Sequence, residues 1–244
     1  SKSRGNGLTI EQWLTYAPPE SLSLYMFQSP RKAKRLYFDI IPKAVDEYIT
    51  SLDKMPELSS EQQLTNPAWH IHAGSQAVGQ SIGGSPVSFA LLLNLVSASN
   101  AENKEVLWGF INNYAPGVSA QSHPFLDRLT DYALVYYRDF VEPNKSFREP
   151  SEDERAALVK LSEKLAVLDE GVDAETIQTE VYAVGKAYFE DNLRGWFQTL
   201  YQVLLGQDQG PRFGSFVALY GLEKTRALIG QACAGQLAQR VATC

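Results

Sequence analysis

The chain has 244 residues, of which 44% are hydrophobic and 20% are charged, and this composition excludes a disordered or fibrous protein. The net charge of -6 argues, taken alone, against a nucleic-acid-binding protein, because phosphate contacts come from lysine and arginine. The acidity is local, however, since residues 151 to 191 contain 11 acidic and 4 basic side chains. The charge of the remaining sequence is therefore compatible with RNA binding.

Membrane and secretion signals are absent from the sequence. No stretch approaches the roughly 18 consecutive apolar residues that a membrane-spanning helix requires. The first ten residues, SKSRGNGLTI, lack the apolar core of a signal peptide. We therefore expect a cytoplasmic protein without a membrane partner. We interpret Cys233 and Cys244 as reduced thiols, because they do not have metal-ligand spacing.

The N-terminal part of the chain predicts two helices followed by a connector. Ile10, Trp13 and Leu14 have the spacing of one helix face. A second helix begins near Ile41, with Pro42 in its first turn. Its apolar face consists of Ile41, Val45, Tyr48, Ile49 and Leu52. The polar segment 53–67 is bracketed by prolines, and we place a domain boundary in it, between residues 57 and 58.

Helical spacing continues through the remaining chain. Ser85 and Pro86 predict the start of a buried helix, and Ser122 and Pro124 predict the start of another. Ser151 and Glu154 form a capping box for a helix that Gly171 is expected to end. Three further apolar stripes consist of Ile177, Val181, Val184 and Tyr188, of Trp196, Leu200, Val203 and Leu204, and of Phe213, Phe216, Val217 and Tyr220. Because strand alternation is nearly absent, we predict an all-α helix bundle or cage.

The first six residues, Ser1-Lys2-Ser3-Arg4-Gly5-Asn6, form a small basic loop. A lysine on a glycine-containing loop, flanked by hydroxyl groups, can neutralise the charge that develops on a phosphate during adenylyl transfer. On composition alone, a solvated tail is the simpler interpretation.

The densest positive patch is Arg31, Lys32, Lys34 and Arg35, four basic residues within five positions. Such a cluster can neutralise several phosphates and position RNA without reading its sequence. A solvated basic turn is the alternative. 

A second candidate for RNA contact is the turn before the last apolar stripe, where Arg212 lies beside Phe213. A cation next to an aromatic ring suits an unpaired base. Lys224 and Arg226 extend this basic face or merely make it soluble, and the alternative for the aromatic residues is a place in the core.

His70 and His72 do not make a metal site, because two ligands without a third partner are too few for zinc. We expect one of them to be exposed and the other to pack with Trp69. No serine or cysteine nucleophile with a histidine base can be identified.

Three segments resemble a known family. The first six residues resemble the latter part of the KMSKS signature of class I aminoacyl-tRNA synthetases, whose leading lysine and methionine are missing here. The segment LTIEQWLTYAPPESLSLYMFQSPRKAKRLYFDIIPKAVDEY resembles the region after that signature in class I lysyl-tRNA synthetases. GPRFGSFVALYGLEKTRALI, near the end of the chain, is similar to a segment of the same enzymes.

The resemblance implies an activity and a division of the chain. The full-length enzyme would attach lysine to tRNA(Lys) with ATP and Mg²⁺, and Lys2, with Ser1 and Ser3, would assist at the ATP phosphates. Residues 1–57 would form the end of the KMSKS loop and a helical stem-contact region, and residues 58–244 an all-helical anticodon-binding domain. The nucleotide-binding fold precedes the signature in this family, so we expect this chain alone to be inactive and to bind no cofactor.

The expected partner is tRNA(Lys), with its uridine-rich anticodon, and not DNA. Lysine and ATP are expected as partners of the full-length enzyme alone. Two alternatives stay open: the corresponding part of a glutamyl-tRNA synthetase, and a helical protein-interaction scaffold that does not bind RNA.

Overall fold

The computed structural model describes residues 8–28, 30–31, 36–72, 84–190 and 192–241. Its backbone forms two compact units, the first from residues 1–92 and 117–136 and the second from residues 93–116 and 137–244. Every regular element within the described ranges is helical, which confirms the predicted all-α fold. The boundary predicted between residues 57 and 58 divides the expected stem-contact region from the expected anticodon-binding domain, and it stays a prediction.

The described residues form a series of α-helices. In chain order they are α1 (Ile10–Tyr16), α2 (Pro19–Phe27), α3 (Ile41–Asp53), α4 (Ser60–Gln63), α5 (Pro67–Ile71), α6 (Phe89–Ser99), α7 (Lys104–Tyr114), α8 (Pro124–Tyr136), α9 (Glu152–Ala166), α10 (Ala174–Phe189), α11 (Leu193–Leu200), α12 (Phe213–Tyr220), α13 (Leu222–Cys233) and α14 (Gln236–Val241). Shorter 3₁₀ turns lie at Phe38–Ile40, Met55–Glu57 and Glu142–Asn144, and π-helical turns lie at Tyr137–Val141 and Tyr201–Leu205.

Helix α1 begins at a capping box formed by Thr9 and Gln12. Trp13 is fully buried, and its indole N–H donates a hydrogen bond to Ser21 Oγ at 3.1 Å. The predicted common face is wrong in part, because Ile10 is 61% exposed and Leu14 is 39% exposed. In this seven-residue helix, Trp13 is the side chain that packs into the core.

Helix α3 confirms the predicted apolar stripe, since all five residues of that stripe are buried. Pro42 lies in the first turn of the helix. A backbone N–H has no carbonyl acceptor within the helix at that position, so proline removes no helical hydrogen bond there. The polar segment that follows contains the short turn Met55–Glu57 and the four-residue helix α4, as a connector with little regular structure should.

The start of α6 differs from the prediction. The helix begins at Phe89 rather than at Pro86, and its first N–H groups are capped by a side chain from α3. Asp46 Oδ1 accepts from the Phe89 N–H at 2.5 Å and Asp46 Oδ2 from the Ala90 N–H at 3.2 Å, while Ser88 Oγ accepts from the Leu91 N–H at 3.1 Å. The helix therefore has a local cap at Ser88, three residues after the predicted start at Ser85, and a carboxylate from α3 adds two further acceptors at its positive end.

Asp46 should make stability depend on pH. Burial raises its pKa from 3.8 to about 6, although the two backbone N–H groups act in the opposite direction. Between pH 4 and pH 6 the folded chain therefore keeps a proton that the unfolded chain releases, so this carboxyl lowers stability as pH rises. We expect Asp46→Asn to gain on the order of 1–3 kcal/mol relative to the unmodified chain across that window. Urea unfolding of both proteins at several pH values measures this, and parallel stability profiles would contradict it.

In the second unit, α9 begins at the predicted capping box. Ser151 Oγ accepts from the Glu154 N–H at 3.2 Å, and Glu154 Oε2 accepts from the Ser151 N–H at 2.8 Å. The helix ends at Ala166 and not near Gly171, which corrects the prediction. Gly171, with φ +84°, belongs instead to the turn that follows, where the Val172 N–H donates to the Asp169 carbonyl.

The core of the second unit forms between α10, α11 and α12. Trp196 of α11 is fully buried, and its indole N–H donates to the Val181 carbonyl of α10 at 2.9 Å. Gly214 of α12 lies against the start of α10, and its N–H donates to Gln178 Oε1 at 2.7 Å. These two contacts join three helices through buried, hydrogen-bonded positions.

A polar network ties the loop before α9 to the neighbouring helices. Arg148 makes a two-pronged bond to Glu154 at 2.6 and 2.7 Å, and Thr199 Oγ1 donates to the same carboxylate at 2.7 Å. Arg148 Nε also donates to Gln202 Oε1 at 2.7 Å. The guanidinium holds the pKa of Glu154 at about 2, well below its usual value of 4.5. Glu154 therefore caps α9 and anchors the loop at the same time.

Candidate functional site

The predicted catalytic and stem-contacting residues lie mostly outside the described residues. This applies to Ser1, Lys2, Ser3, Lys32, Lys34 and Arg35. Arg31 is described, and it occupies an exposed turn after α2 in the first unit. Its exposure is compatible with contact to a phosphate, and the roles of the whole set stay predictions.

Arg212 and Phe213 have opposite environments in the second unit. Arg212 is about half exposed and forms an ion pair at 2.5 Å with Glu175, itself 71% exposed, in the first turn of α10. Phe213 is fully buried, packed between the rings of Tyr201 and Phe216. The prediction that Phe213 stacks on a base is therefore wrong for this structure, because its ring fills the core and has no face open to a ligand.

Lys224 and Arg226, the other two predicted cations, lie on α13. Arg226 pairs with Glu223 on the same helix. Lys224 is exposed, and its ammonium lies 4.1 Å from the centroid of the Phe110 ring. Within the described ranges no carboxylate lies at ion-pair distance from Lys224, and its exposed ammonium lies against the face of the Phe110 ring.

A column of aromatic rings runs from Phe213 toward Lys224. Phe213 and Phe216 are 5.6 Å apart, Phe216 and Tyr220 are stacked at 5.4 Å, and Tyr220 and Phe110 are stacked at 5.6 Å. Lys224 lies over the last ring of this column. The predicted residues Phe213 and Lys224 thus mark the two ends of one feature, a buried end and an exposed end.

The exposed end opens into a cavity of about 740 Å³, which lies entirely within the second unit. Lys224 and Lys145 contribute positive charge to its wall, and Tyr137, Phe147 and Tyr220 contribute aromatic rings. Its volume lies in the range that small-molecule sites occupy. Cations beside aromatic rings make a wall that attracts planar, electron-rich groups.

Lys145 is positioned by the end of α6. Its ammonium donates to the Ser97 carbonyl at 3.1 Å and lies 3.4 Å from the Tyr137 hydroxyl. It also lies over the rings of Tyr137 and Phe147, at 5.6 and 5.0 Å from their centroids. A cation at this point complements the negative end of the helix, which explains why the loop places a lysine here.

The cavity wall also contains hydroxyl groups that stay uncharged. The Ser97 side chain is 3% exposed, and its hydrogen bond with Tyr137 acts to lower the pKa of that phenol, against the larger effect of burial. Burial raises the pKa of Tyr137 to about 12, with a further rise from Glu142, and burial also raises the pKa of Tyr220. Both phenols therefore stay neutral near pH 7 and act as hydrogen-bonding groups rather than as anions.

The histidines His70 and His72 lie in different environments. His70 is exposed, stacks on Phe27 at 5.2 Å and contacts Trp69 edge-on. His72 is half-buried, and its Nε2 forms a hydrogen bond of 2.8 Å with the Tyr48 hydroxyl. The exposed histidine is thus the one that contacts Trp69, contrary to the prediction.

Within the described ranges, no helix has the length and apolar character needed to cross a bilayer, and no cluster of three potential metal ligands occurs.

Of the two cysteines, Cys233 lies within the described residues, and its thiol is free.

Comparison with known proteins gives two concordant results. The family model of class I tRNA synthetases (K) matches residues 1–75. A protein named "Lysine--tRNA ligase" from Roseobacter denitrificans is 51% identical over 237 residues, which is 97% of this chain and 44% of that protein. Proteins of the same name from Rickettsia bellii and Rickettsia felis are 45% and 44% identical over 94% of the chain and over 44% and 43% of their own lengths.

The chain therefore spans less than half the length of the curated relatives that it matches, and it corresponds to their C-terminal part. Each of these names specifies lysine, which favours the lysyl family over the glutamyl alternative. The identity extends over both compact units, so it includes the helices around the cavity as well as the N-terminal segment. This chain belongs to the family of class I lysyl-tRNA synthetases.

Proposed function

We propose that the chain recognises the anticodon arm of tRNA(Lys). The observation that carries this proposal is the 51% identity to a lysine--tRNA ligase over 97% of the chain. The second unit supports it, because a cavity with two lysines and three aromatic rings suits an unpaired base. The region around Arg31 would hold the RNA backbone, while residues 58–244 would form the anticodon-binding region.

The proposal extends to the whole enzyme of which such a chain would form part. That enzyme would attach lysine to tRNA(Lys) in the cytoplasm, with ATP as a substrate and Mg²⁺ accompanying the ATP, and with no DNA or membrane partner. Lys2, flanked by Ser1 and Ser3, would neutralise charge on the ATP phosphates during lysine activation. We expect the chain by itself to bind tRNA without aminoacylating it.

The anticodon proposal is tested by measuring the affinity of the chain for tRNA(Lys), tRNA(Glu) and tRNA(Lys) with a swapped anticodon. We expect tRNA(Lys) to bind most tightly and the anticodon swap to remove its advantage. Loss of the advantage without loss of all binding would reflect the backbone contacts that remain. A chain that binds none of the three RNAs at low or moderate salt would contradict the proposal and favour the scaffold alternative.

The basic cluster should supply affinity without sequence preference. Replacing its four cations together, in the variant Arg31→Ala, Lys32→Ala, Lys34→Ala and Arg35→Ala, is expected to weaken binding to every tRNA by about tenfold or more at low salt. The slope of affinity against salt concentration should become shallower, because fewer counterions are released. Filter binding across a salt series measures both quantities.

A charge-matched control is available in the acidic part of the chain. Lys160, Lys164, Lys186 and Arg194 are four cations of α9, α10 and α11. Their fourfold alanine variant has the same net charge as the cluster variant, and we expect it to keep most of the affinity. Equal losses in the two variants would mean that the cluster acts through net charge and not as a binding site.

A further inference from the structure

We propose that an unpaired nucleobase of tRNA stacks on the exposed aromatic pair of Phe27 and His70 in the first unit. The phosphates next to that base would lie against the basic cluster that begins at Arg31. The inference rests on the proposed function and adds to it an aromatic contact that holds a base without reading which base it is. The pair belongs to α2 and α5, outside the second unit and its cavity.

Phe27 and His70 form a planar surface that solvent reaches. Their rings are stacked, with centroids 5.2 Å apart and planes 22° from parallel. Phe27 is 46% exposed, and His70 is also exposed. A phenyl ring in this position forfeits about half of the stabilisation that full burial would give, so packing of the unit alone does not account for it.

Neighbouring residues fix the pair and extend its apolar surface. His70 Nε2 donates to the Leu64 carbonyl at 2.7 Å, and its ring lies edge-on to Trp69 with centroids 5.0 Å apart. Met26, which precedes Phe27, and Leu64 are each 50% exposed. Exposed apolar side chains that occur together mark interaction sites, whereas scattered ones need no explanation. A ligand that stacks here therefore meets a surface that is already ordered.

The sequence next to the pair is strongly basic. Residues 28–43 contain five basic side chains and one acidic side chain. Arg31 is exposed and follows Phe27 by four positions, so their Cα atoms are at most about 14 Å apart. Glu47 of α3 brings a carboxylate to the end of α2, and Lys43 pairs with it at 3.8 Å. This balance favours an anionic partner over a basic one.

An RNA with an unpaired base combines the two properties of this surface. Its phosphates are attracted by the cations, and its base offers a planar face to the rings. A paired stem would use the cations alone, because the bases of an A-form helix stay stacked on one another. Stacking does not depend on which base is present, since every base has such a face. The contact would therefore raise the affinity for different tRNAs alike.

The test measures the affinity of the complete 244-residue chain for tRNA(Lys) and for its anticodon-swapped form, by filter binding across a salt series. We expect Phe27→Ala to weaken both complexes by about tenfold, within the range that alanine substitution of a stacking residue produces. The slope of affinity against salt concentration should not change, because no cation is removed. This distinguishes the aromatic pair from the basic cluster, whose removal makes the slope shallower.

Further variants separate stacking from other uses of the ring. Phe27→Tyr keeps a flat ring and should bind as the unmodified chain does. Phe27→Leu keeps an apolar side chain without a ring, and it should lose as much affinity as Phe27→Ala. His70→Ala removes the other ring of the pair, and it should also weaken both complexes.

Tyr182→Ala is the matched control. Tyr182 of α10 is 42% exposed and lies edge-on to Phe197 with centroids 5.2 Å apart, but it belongs to the acidic stretch of residues 151 to 191. We expect this variant to keep the affinity of the unmodified chain for both RNAs. A loss equal to that of Phe27→Ala would overturn the proposal, because the pair would then be no different from an aromatic residue without cations beside it.

The remaining outcomes separate this inference from the proposed function. Unchanged affinity in Phe27→Ala, or full affinity in Phe27→Leu, overturns the stacking contact, and anticodon-dependent binding by the unmodified chain then leaves the proposed function intact. A loss confined to tRNA(Lys) and absent with the swapped anticodon also overturns it. A chain that binds no tRNA before any substitution overturns both. If circular dichroism shows that Phe27→Ala does not fold, His70→Ala decides, because the side chain that it removes is exposed.

Discussion

Replacing Trp196 by alanine is expected to lower the free energy of unfolding by about 3–5 kcal/mol, the usual cost of removing a large aromatic side chain from a core. The indole is fully buried between α10 and α11, and its N–H donates to the Val181 carbonyl at 2.9 Å. The truncation leaves a cavity and also leaves that carbonyl without its donor. Urea unfolding followed by far-ultraviolet circular dichroism measures the loss.

The variant Trp196→Phe separates the two causes. Phenylalanine restores most of the ring volume but cannot donate to the Val181 carbonyl, so we expect it to recover a large part of the loss and not all of it. A Trp196→Ala variant within about 1 kcal/mol of the original would show that the helices close around the gap, and it would contradict the view that α11 depends on this contact.

Replacing Gly214 by alanine is expected to destabilise the chain by about 1–3 kcal/mol, although the added group is a single methyl. A Cβ atom at this position would contact the carbonyl oxygen of Ala174 and would lie 2.8 Å from both the backbone nitrogen and the Cβ of Gln178. All three atoms belong to the first turns of α10, which cannot move without breaking the Gln178 bond to the Gly214 N–H. Thermal and urea unfolding both measure this effect.

Gly230 provides the matched control for Gly214. It lies within α13, and a Cβ atom there would meet nothing within 4 Å. We therefore expect Gly230→Ala to be neutral or to stabilise the chain by about 0.5–1 kcal/mol, as alanine does in a helix interior. Similar losses in the two variants would indicate a general sensitivity to alanine and would refute the close approach of α12 to α10.

Local sequence signals predicted the features that depend on a few neighbouring residues. The capping box at Ser151 and Glu154 and the apolar stripe from Ile41 both occur as expected, because each is determined within one or two helical turns. The contribution of Asp46 to the cap at α6 was not predictable in this way. Asp46 is 43 positions from Phe89 in sequence, and nothing in the local pattern links a carboxylate on α3 to the start of another helix.

The candidate site was predictable in its residue types and less so in its geometry. Arg212 and Lys224 lie at the surface as cations should, but the sequence could not distinguish Phe213 as a core ring from an exposed one. A stripe of aromatic residues with helical spacing looks the same in both cases. Lys145 was missed entirely, because an isolated lysine in a loop becomes informative only when α6 and Tyr137 are placed around it.

The loop from residue 145 to residue 149 is fastened at several points, and this affects the thermodynamics of binding. The Ser146 N–H donates to the Gly206 carbonyl at 2.9 Å, Phe147 packs on Gly206, and Arg148 is fixed by Glu154. Lys145 is therefore held at the cavity wall before any ligand arrives. A base that binds there need not order this loop, so little conformational entropy is lost on association and most of the contact energy is retained as affinity.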